Sequence, residues 1–236
     1  MEETNGNGRK YVPELKSTLR DSIIELPNVI REASGIRIFG KRIKSIIYTM
    51  DVAVIDNNDA DAILCVYPWT PNTSILRAIS QVAKVPILAG IGGGVTSGPR
   101  SARLGSFAEE YGATCVVLNA PSDLDTISIV EDSVDIPIVY TVVNDKVDLQ
   151  AYIDAGVDIF NVAGGKNTVE LVKKIRAQFP DFPIIASGGN TDEMIHATIQ
   201  AGANAITWTA YGATETYFQD KMELYRQRDY LAENES

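Results

Sequence analysis

Eight short apolar runs, separated by amphipathic segments, recur along most of this chain and restrict its fold more than any other feature. The intervening segments have helical periodicity, as in NTVELVKKIRAQF, where Val169, Val172 and Ile175 fall on one face. Strongly apolar strands that alternate with helices predict a parallel β-sheet covered by helices. The runs read SIIYTM, AILCVY, VPILAG, ATCVVLNA, IPIVYTVV, VDIFNVAG, FPIIASGG and ANAITWT.

A repeat of Pro and Gly favours a closed barrel over an open sheet. The third, fifth and seventh runs open with a Pro after one apolar residue, and a Pro at the first residue of a strand loses no ladder hydrogen bond. The fourth, sixth and eighth runs follow a Gly, which can take the left-handed conformation that caps a helix. A two-strand unit repeated around eight strands suits a barrel, whose interior layers draw on alternate strands. The residues are Pro86, Pro137 and Pro183, and Gly112, Gly156 and Gly202.

We therefore predict an α/β protein, a single (β/α)8 TIM barrel whose strands begin near Ser45 and close between the last run and the first. Residues 1–20 are polar and predict a flexible N-terminal tail. The barrel domain then occupies residues 21–236, including a short helical extension over residues 23–30 that Gly35 can end.

Composition excludes several classes of partner. The net charge of −10 argues against nucleic acid, which is bound by clustered Lys and Arg, although a local pocket can still bind a small anion. No apolar run reaches the length of a membrane span or of a signal peptide, which predicts a cytoplasmic protein without membrane contact. Cys65 and Cys115 lie inside apolar runs and predict buried free thiols. Association into a homo-oligomer stays open.

The segment FPIIASGGNTDEMIHATIQAGANAITWT, residues 182–209, resembles the phosphate-binding group of aldolase-type barrels. It is similar to that group's strand, double-Gly turn, helix, AGA turn and last strand, and the repeat extends the resemblance over residues 45–225. The group includes phosphosugar aldolases, sugar-phosphate epimerases, thiamin-phosphate synthase and FMN-dependent oxidoreductases. A narrower resemblance, to bacterial proteins described only as hydrolases, is carried by ELPNVIREASGIRIFGKRIKSI at residues 25–46.

The loops after the last two strands are the predicted anion site. Gly residues let backbone N–H groups approach a ligand, and the positive end of the helix that begins near Thr191 points there. The chain departs from the group because TWTAYG delays the last Gly, and Trp208 and Tyr211 could narrow the pocket. The alternative is a tight turn capped by Asn190 or Thr191. The predicted phosphate-binding residues are Gly188, Gly189, Asn190, Thr209 and Gly212.

The third loop reads AGIGGGVTSGPRSAR and fits neither a P-loop nor a dinucleotide-binding fingerprint. Two interpretations stay open. It is either a mobile lid, which includes Gly92 and Gly93 and carries Arg100 and Arg103 towards an anion, or a flexible surface loop.

Acid–base groups are expected at the carboxyl ends of the strands. Asp51 follows the first strand and Asp145 the fifth, and this pair resembles the acid–base pair of barrel isomerases in histidine biosynthesis. Asn119 follows the fourth strand, and Asn161 and Lys166 follow the sixth. We expect Asp51 as the base, Lys166 as its electrostatic partner and Asp145 as a second carboxylate. The alternatives are a helix cap for Asp51, a turn residue for Asp145 and a solvated surface lysine for Lys166.

Two chemistries are disfavoured. Schiff-base aldolases of this fold carry a lysine within strand six, and VDIFNVAG has none. Zinc sites need several His or Cys ligands, whereas the single histidine, His196, is expected on the outer side of a helix. The sequence therefore predicts an enzyme that acts on a small phosphorylated metabolite, as a lyase or isomerase, with no required cofactor; Mg²⁺ and FMN stay open. The alternatives are a non-catalytic sensor like the glycerol operon antiterminators, a hydrolase, or an FMN-binding oxidoreductase.

Overall fold

A computed structural model of the chain describes Pro13, Leu15, residues 23–66, 70–94 and 96–210, and Gln219, Met222 and Glu223. Strands and helices alternate through these residues. The strands are β1 (Ile36–Ile38), β2 (Lys41–Ile43), β3 (Ser45–Tyr48), β4 (Ala62–Cys65), β5 (Ile87–Gly92), β6 (Cys115–Asn119), β7 (Ile138–Val142), β8 (Ile159–Val162), β9 (Ile184–Ser187) and β10 (Ala205–Thr209). The helices are α1 (Val52–Asp56), α2 (Thr73–Val82), α3 (Gly98–Glu110), α4 (Leu124–Glu131), α5 (Leu149–Asp154), α6 (Thr168–Gln178) and α7 (Asp192–Gln200), with 3-10 helices over Asn28–Glu32 and Gly165–Asn167.

Strands β3 to β10 form a closed parallel barrel, which confirms the predicted (β/α)8 fold. Each strand pairs with the next along the chain, and the last strand pairs with the first. The closure runs from Ile206 opposite Ser45 to Thr209 opposite Tyr48. Each of the eight apolar runs contains one barrel strand.

The Pro and Gly repeat has the structural basis expected of it. The carbonyls of Pro86, Pro137 and Pro183 accept the first hydrogen bonds of their ladders, from the N–H groups of the neighbouring strands at 2.9–3.0 Å. Gly112, Gly156 and Gly202 have φ values of +83°, +111° and +113° directly after the C-caps of α3, α5 and α7. The repeated residues thus begin strands and end helices around the barrel.

The N-terminal extension differs from the predicted helix. Its helical part is a 3-10 helix over Asn28–Glu32, which begins after Pro27. Ile24 is extended instead, because its backbone pairs with Asn57 and Asp59. An antiparallel hairpin of β1 and β2, turned at Phe39 and Gly40, follows. Of the predicted tail over residues 1–20, the structure describes only two residues.

The apolar core has two parts. The larger part lies between the barrel and its helices. The smaller part fills the barrel, and Ile36, Ile38 and Ile43 of the hairpin belong to it, so the hairpin closes the amino end of the barrel. The interior can therefore open to solvent only at the carboxyl ends of the strands.

The two cysteines are buried and free, as predicted. Burial raises the pKa of each thiol to about 12. Among the described residues, no helix combines the length and the apolar composition that a membrane crossing requires.

Candidate functional site

The interior of the barrel changes from apolar to polar towards the carboxyl ends of its strands. Side chains along a strand alternate between faces, so the residue two positions after an interior residue also faces the barrel axis. The interior apolar layer includes Ile46, Val117, Val139, Ile159, Ile185 and Ala205. Two positions further along lie Tyr48, Asn119, Thr141, Asn161, Ser187 and Thr207, which we call the polar ring.

The polar ring consists of hydroxyl and amide groups, without a carboxylate or a cationic group. In the ladder Asn119 lies opposite Thr141, which lies opposite Asn161, and the Asn161 Nδ2 group donates to Thr141 Oγ1 at 3.1 Å. Thr207 lies opposite Ser187. Asn161 and Thr207 are only 6% and 7% exposed, yet Asn161 Oδ1 and Thr207 Oγ1 have no hydrogen-bond partner among the described residues.

Four of these residues, Tyr48, Thr141, Ser187 and Thr207, were not among the sequence-predicted candidates. The usable signal was a polar residue inside an apolar strand, two positions after a residue of the apolar layer. That signal needs the strand register, because a shift of one residue would turn the same side chains towards the helices.

The turn after β9 is built for close packing. A Cβ atom at Gly188 would lie 2.6 Å from Ile206 Cγ2, and Gly189 has a φ of +84°. The Gly188 N–H group donates to Thr207 O at 3.1 Å, so Gly188 continues the ladder and does not offer its N–H to a ligand. This corrects its predicted role. Gly189 and Asn190 follow at the carboxyl end of the barrel, and Asn190 is exposed.

Helix α7 begins directly after this turn. Thr191 is its N-cap, and its hydroxyl accepts from the Met194 N–H at 3.3 Å, as the capping alternative predicted. Asp192 and Glu193 are exposed in the first turn. Hydrogen bonds from its own backbone N–H and from the Thr191 hydroxyl hold the pKa of Glu193 below its ordinary value. These carboxylates interact favourably with the helix dipole, although water screens their effect on a nearby anion.

The side chains at the end of β10 alternate between the barrel axis and the surrounding helices. Thr209 lies opposite Tyr48, and alternation from Thr207 turns its side chain towards the axis. Trp208 points the other way and packs against the core between barrel and helices. It therefore does not narrow the mouth, contrary to expectation. Gly212 and Tyr211 lie outside the described residues.

The third loop is packed, and its arginines are not on a lid. A Cβ atom at Gly93 would overlap the backbone of Asn119, and one at Gly92 would overlap the hydroxyls of Thr96 and Ser101. Arg100 and Arg103 lie in α3 and are exposed. They line an outer groove of about 400 Å³ beside the start of α2. The lid prediction is thus wrong for both arginines, because Pro99 and the residues after it continue as a regular helix.

The predicted acid–base residues have separate surroundings. Asp51 is the N-cap of α1, and its Oδ1 atom accepts from the Ala53 N–H at 2.8 Å. The exposed Asp145 carboxylate forms an ion pair with Lys174 of α6 at 2.6 Å. The hydrogen bond and the positive charge of Lys174 lower the pKa of Asp145. Lys166 is exposed in the 3-10 helix after β8. In the structure, Asp51 thus caps a helix and Asp145 forms a surface ion pair.

The single histidine lies on the surface, as predicted. His196 Nδ1 is 2.9 Å from Glu32 Oε2, in an outer groove of about 660 Å³ between the first 3-10 helix and α7. Within the part of the chain that the structure describes, no cluster of three or more His, Cys, Asp or Glu side chains could hold a metal ion. Whether the protein works without a cofactor stays a prediction.

Comparison with known proteins supports the fold alone. No protein-family model and no curated protein matches the sequence. The chain is similar in structure to a phosphonopyruvate hydrolase, with 13% identity and a TM-score of 0.62 over 82% of this chain and 84% of that one. It is also similar to a candidate phosphonomutase from Burkholderia cenocepacia J2315, with 15% identity and a TM-score of 0.57 over 78% and 92%. A dihydrodipicolinate synthase from Bacillus anthracis has 16% identity and a TM-score of 0.54 over 79% and 76%. The chain thus has the TIM-barrel fold that these proteins share.

Proposed function

We propose that this protein binds a small phosphorylated metabolite at the carboxyl end of its barrel and acts on it as a lyase or isomerase, by proton transfer. The observation that carries the proposal is the polar ring. The barrel interior is apolar up to its middle, and beyond that level six of the eight strands carry polar side chains. Packing alone does not require this change from apolar to polar residues. Barrel enzymes hold their substrates at this end. Two of the three structural neighbours are named for phosphorus-containing compounds.

The turn between β9 and α7 is the proposed phosphate cradle. The N–H groups of Gly189 and Asn190 lie at the positive end of α7, a nine-residue helix that begins at the barrel mouth. The Thr209 side chain faces the same opening from the neighbouring strand. A phosphate there would accept hydrogen bonds from backbone N–H groups, which need no cationic side chain.

Tyr48 is the proposed acid–base group of the ring. It packs against the apolar layer and lies at the end of β3, and its phenol can exchange a proton with a substrate in the mouth. Asp51 follows three residues later and is the N-cap of α1. Lys166 is at the same end of the barrel, after β8, as an electrostatic partner of a developing anion. The proposal requires no cofactor.

A thermal-shift screen over phosphorylated metabolites tests binding, because a ligand of the native state raises Tm by mass action. Gly189→Val should abolish the shift, since its φ of +84° disfavours a β-branched residue and its Cβ would lie 2.8 Å from Met194 Cε. Gly112→Val is the matched control, because Gly112 has a similar φ of +83° and lies after α3, away from this turn. If no phosphorylated compound raises Tm, the proposal is wrong.

Incubation of a binding ester in D₂O tests the reaction. A lyase or isomerase that takes a proton from carbon replaces it with deuterium, and ¹H NMR follows the loss of that signal. Tyr48→Phe should slow the exchange by about 10²-fold or more while binding persists. Binding without exchange or conversion would instead identify a non-catalytic sensor.

A further inference from the structure

Two buried polar atoms of the ring have unused hydrogen-bonding capacity. Other buried threonines are satisfied: Thr168 Oγ1 donates to Gly165 O at 2.8 Å, and Thr198 Oγ1 donates to Met194 O at 2.9 Å. Asn161 Oδ1 and Thr207 Oγ1 have no such partner among the described residues. Unpaired buried polar atoms are rare in native proteins, and each calls for an explanation. Both belong to strands that flank β9 and face the mouth of the barrel.

The chemistry of these two atoms selects the group that would satisfy them. The Asn161 amide already donates from Nδ2 to Thr141, so its oxygen is left as a hydrogen-bond acceptor. An acceptor needs an O–H or N–H donor, and it repels the oxygens of a carboxylate or a phosphate. The Thr207 hydroxyl can donate or accept. The ring also lacks a cationic side chain that would neutralise an anionic group placed beside it.

The ring also lies close to the proposed phosphate cradle. Thr207 is opposite Ser187, and the next residue, Gly188, donates to Thr207 O at 3.1 Å. Gly189, in the cradle, is two residues beyond Ser187, and Ser187 is level with Thr207. Each residue along a strand adds about 3.3 Å. A chain of two or three carbon atoms would span this distance.

We infer that the ligand is a short polyol phosphate, whose neutral hydroxyl groups enter the ring and bind Asn161 and Thr207. This inference rests on the proposed function, because it takes the phosphate at the turn after β9 as its other anchor. It adds the specificity of the site: hydroxyl groups are recognised inside the barrel, and a second anionic group is rejected there.

Calorimetric titration with three phosphate esters of equal carbon number tests this specificity. Glycerol 3-phosphate has two hydroxyls, propyl phosphate has none, and 3-phosphoglycerate has one hydroxyl and a carboxylate in place of the terminal hydroxymethyl group. The wild-type protein should bind glycerol 3-phosphate about tenfold more tightly than propyl phosphate, as one or two neutral hydrogen bonds imply. It should also bind glycerol 3-phosphate more tightly than 3-phosphoglycerate.

Thr207→Val removes the hydroxyl with little change of shape and should reduce the preference for glycerol 3-phosphate over propyl phosphate several-fold, with the affinity for propyl phosphate unchanged. Thr198→Val is the matched control, since it removes a buried and paired hydroxyl from α7, and should leave the preference intact. Far-ultraviolet circular dichroism verifies that both variants fold.

Equal affinity for the first two esters, tighter binding of 3-phosphoglycerate, or an unchanged preference in Thr207→Val would each overturn the inference while the proposed function stands. If no phosphorylated compound binds in the screen described above, the proposed function itself is wrong, and this inference fails with it.

Discussion

Thr207→Val should stabilise the unliganded protein, although most substitutions of buried residues destabilise. Thr207 is 7% exposed, and its Oγ1 atom has no hydrogen-bond partner among the described residues. Valine has nearly the same shape, so the substitution leaves no cavity and introduces no overlap. It removes a hydroxyl that is hydrogen-bonded to water in the unfolded chain and unpaired in the folded barrel.

The magnitude follows from that unpaired atom. A buried polar group without a partner costs about 1–3 kcal/mol, and its replacement by an apolar group of the same shape recovers that free energy. For a chain of this size Tm changes by roughly 2–4 °C per kcal/mol, so the variant should melt about 2–12 °C higher than the wild type. Urea unfolding followed by circular dichroism should give a higher midpoint with an unchanged slope.

Thr126→Val is the matched control. Thr126 is 1% exposed, and its Oγ1 atom accepts from the Gly98 N–H at 2.9 Å, at the start of α3. Its replacement leaves that backbone donor unpaired and should lower the free energy of unfolding by about 1–3 kcal/mol. If Thr207→Val is destabilised to the same degree as Thr126→Val, the Thr207 hydroxyl has a partner in the folded protein, and the reasoning about the polar ring is refuted.

Three further predictions concern the rest of the molecule. Asp51→Ala should lower the free energy of unfolding by about 1 kcal/mol through loss of the α1 cap, whereas Asp51→Asn should retain stability. If Asp51→Asn keeps its stability but loses turnover, Asp51 is the catalytic base. Because burial raises the pKa of Cys65 and Cys115 to about 12, the folded protein keeps protons that the unfolded chain loses near pH 9. Stability should therefore fall between about pH 9 and pH 12, and both thiols should resist alkylation at pH 8 until urea unfolds the chain; rapid native alkylation would contradict their burial. Arg176→Ala should lower the free energy of unfolding by about 3 kcal/mol, because the guanidinium donates to the carbonyls of Gly202 and Phe182 at 2.8–2.9 Å, on both sides of β9. Urea titration measures this loss, and an unchanged midpoint would show that these hydrogen bonds contribute nothing.

The barrel itself could be predicted from the sequence because its determinants are local. Three local features act within a few residues, and each has one structural consequence: an apolar run of strand length, a Pro before three of the strands, and a Gly after three of the helices. The hairpin IRIFGKRI was missed although its signal is also local: Ile36, Ile38 and Ile43 alternate around the Phe39–Gly40 turn. The helix predicted over residues 23–30 is wrong for a different reason, because the pairing of Ile24 with Asn57 and Asp59 holds its first residues extended.

The candidate site could be placed only at the level of the carboxyl end of the barrel. Asp51, Asp145 and Lys166 were chosen because charged residues follow strands, but a charge at a strand end is equally suited to a helix cap or a surface ion pair. Which of these it becomes depends on the neighbours that the fold supplies, such as Lys174 beside Asp145, 29 residues away along the chain.

By itself, the sequence determined the eight barrel strands, their parallel order and the burial of the two cysteines, because these depend on short-range periodicity and backbone conformation. Only the tertiary structure decided that Thr141, Asn161, Ser187 and Thr207 face one opening, that Trp208 turns away from it, and that the Gly188 N–H is used within the sheet. These outcomes depend on the register of strands 20 or more residues apart and on closure of the sheet. A polar residue inside a strand has the same local sequence whether it faces the axis or the helices, and only the closed barrel distinguishes the two.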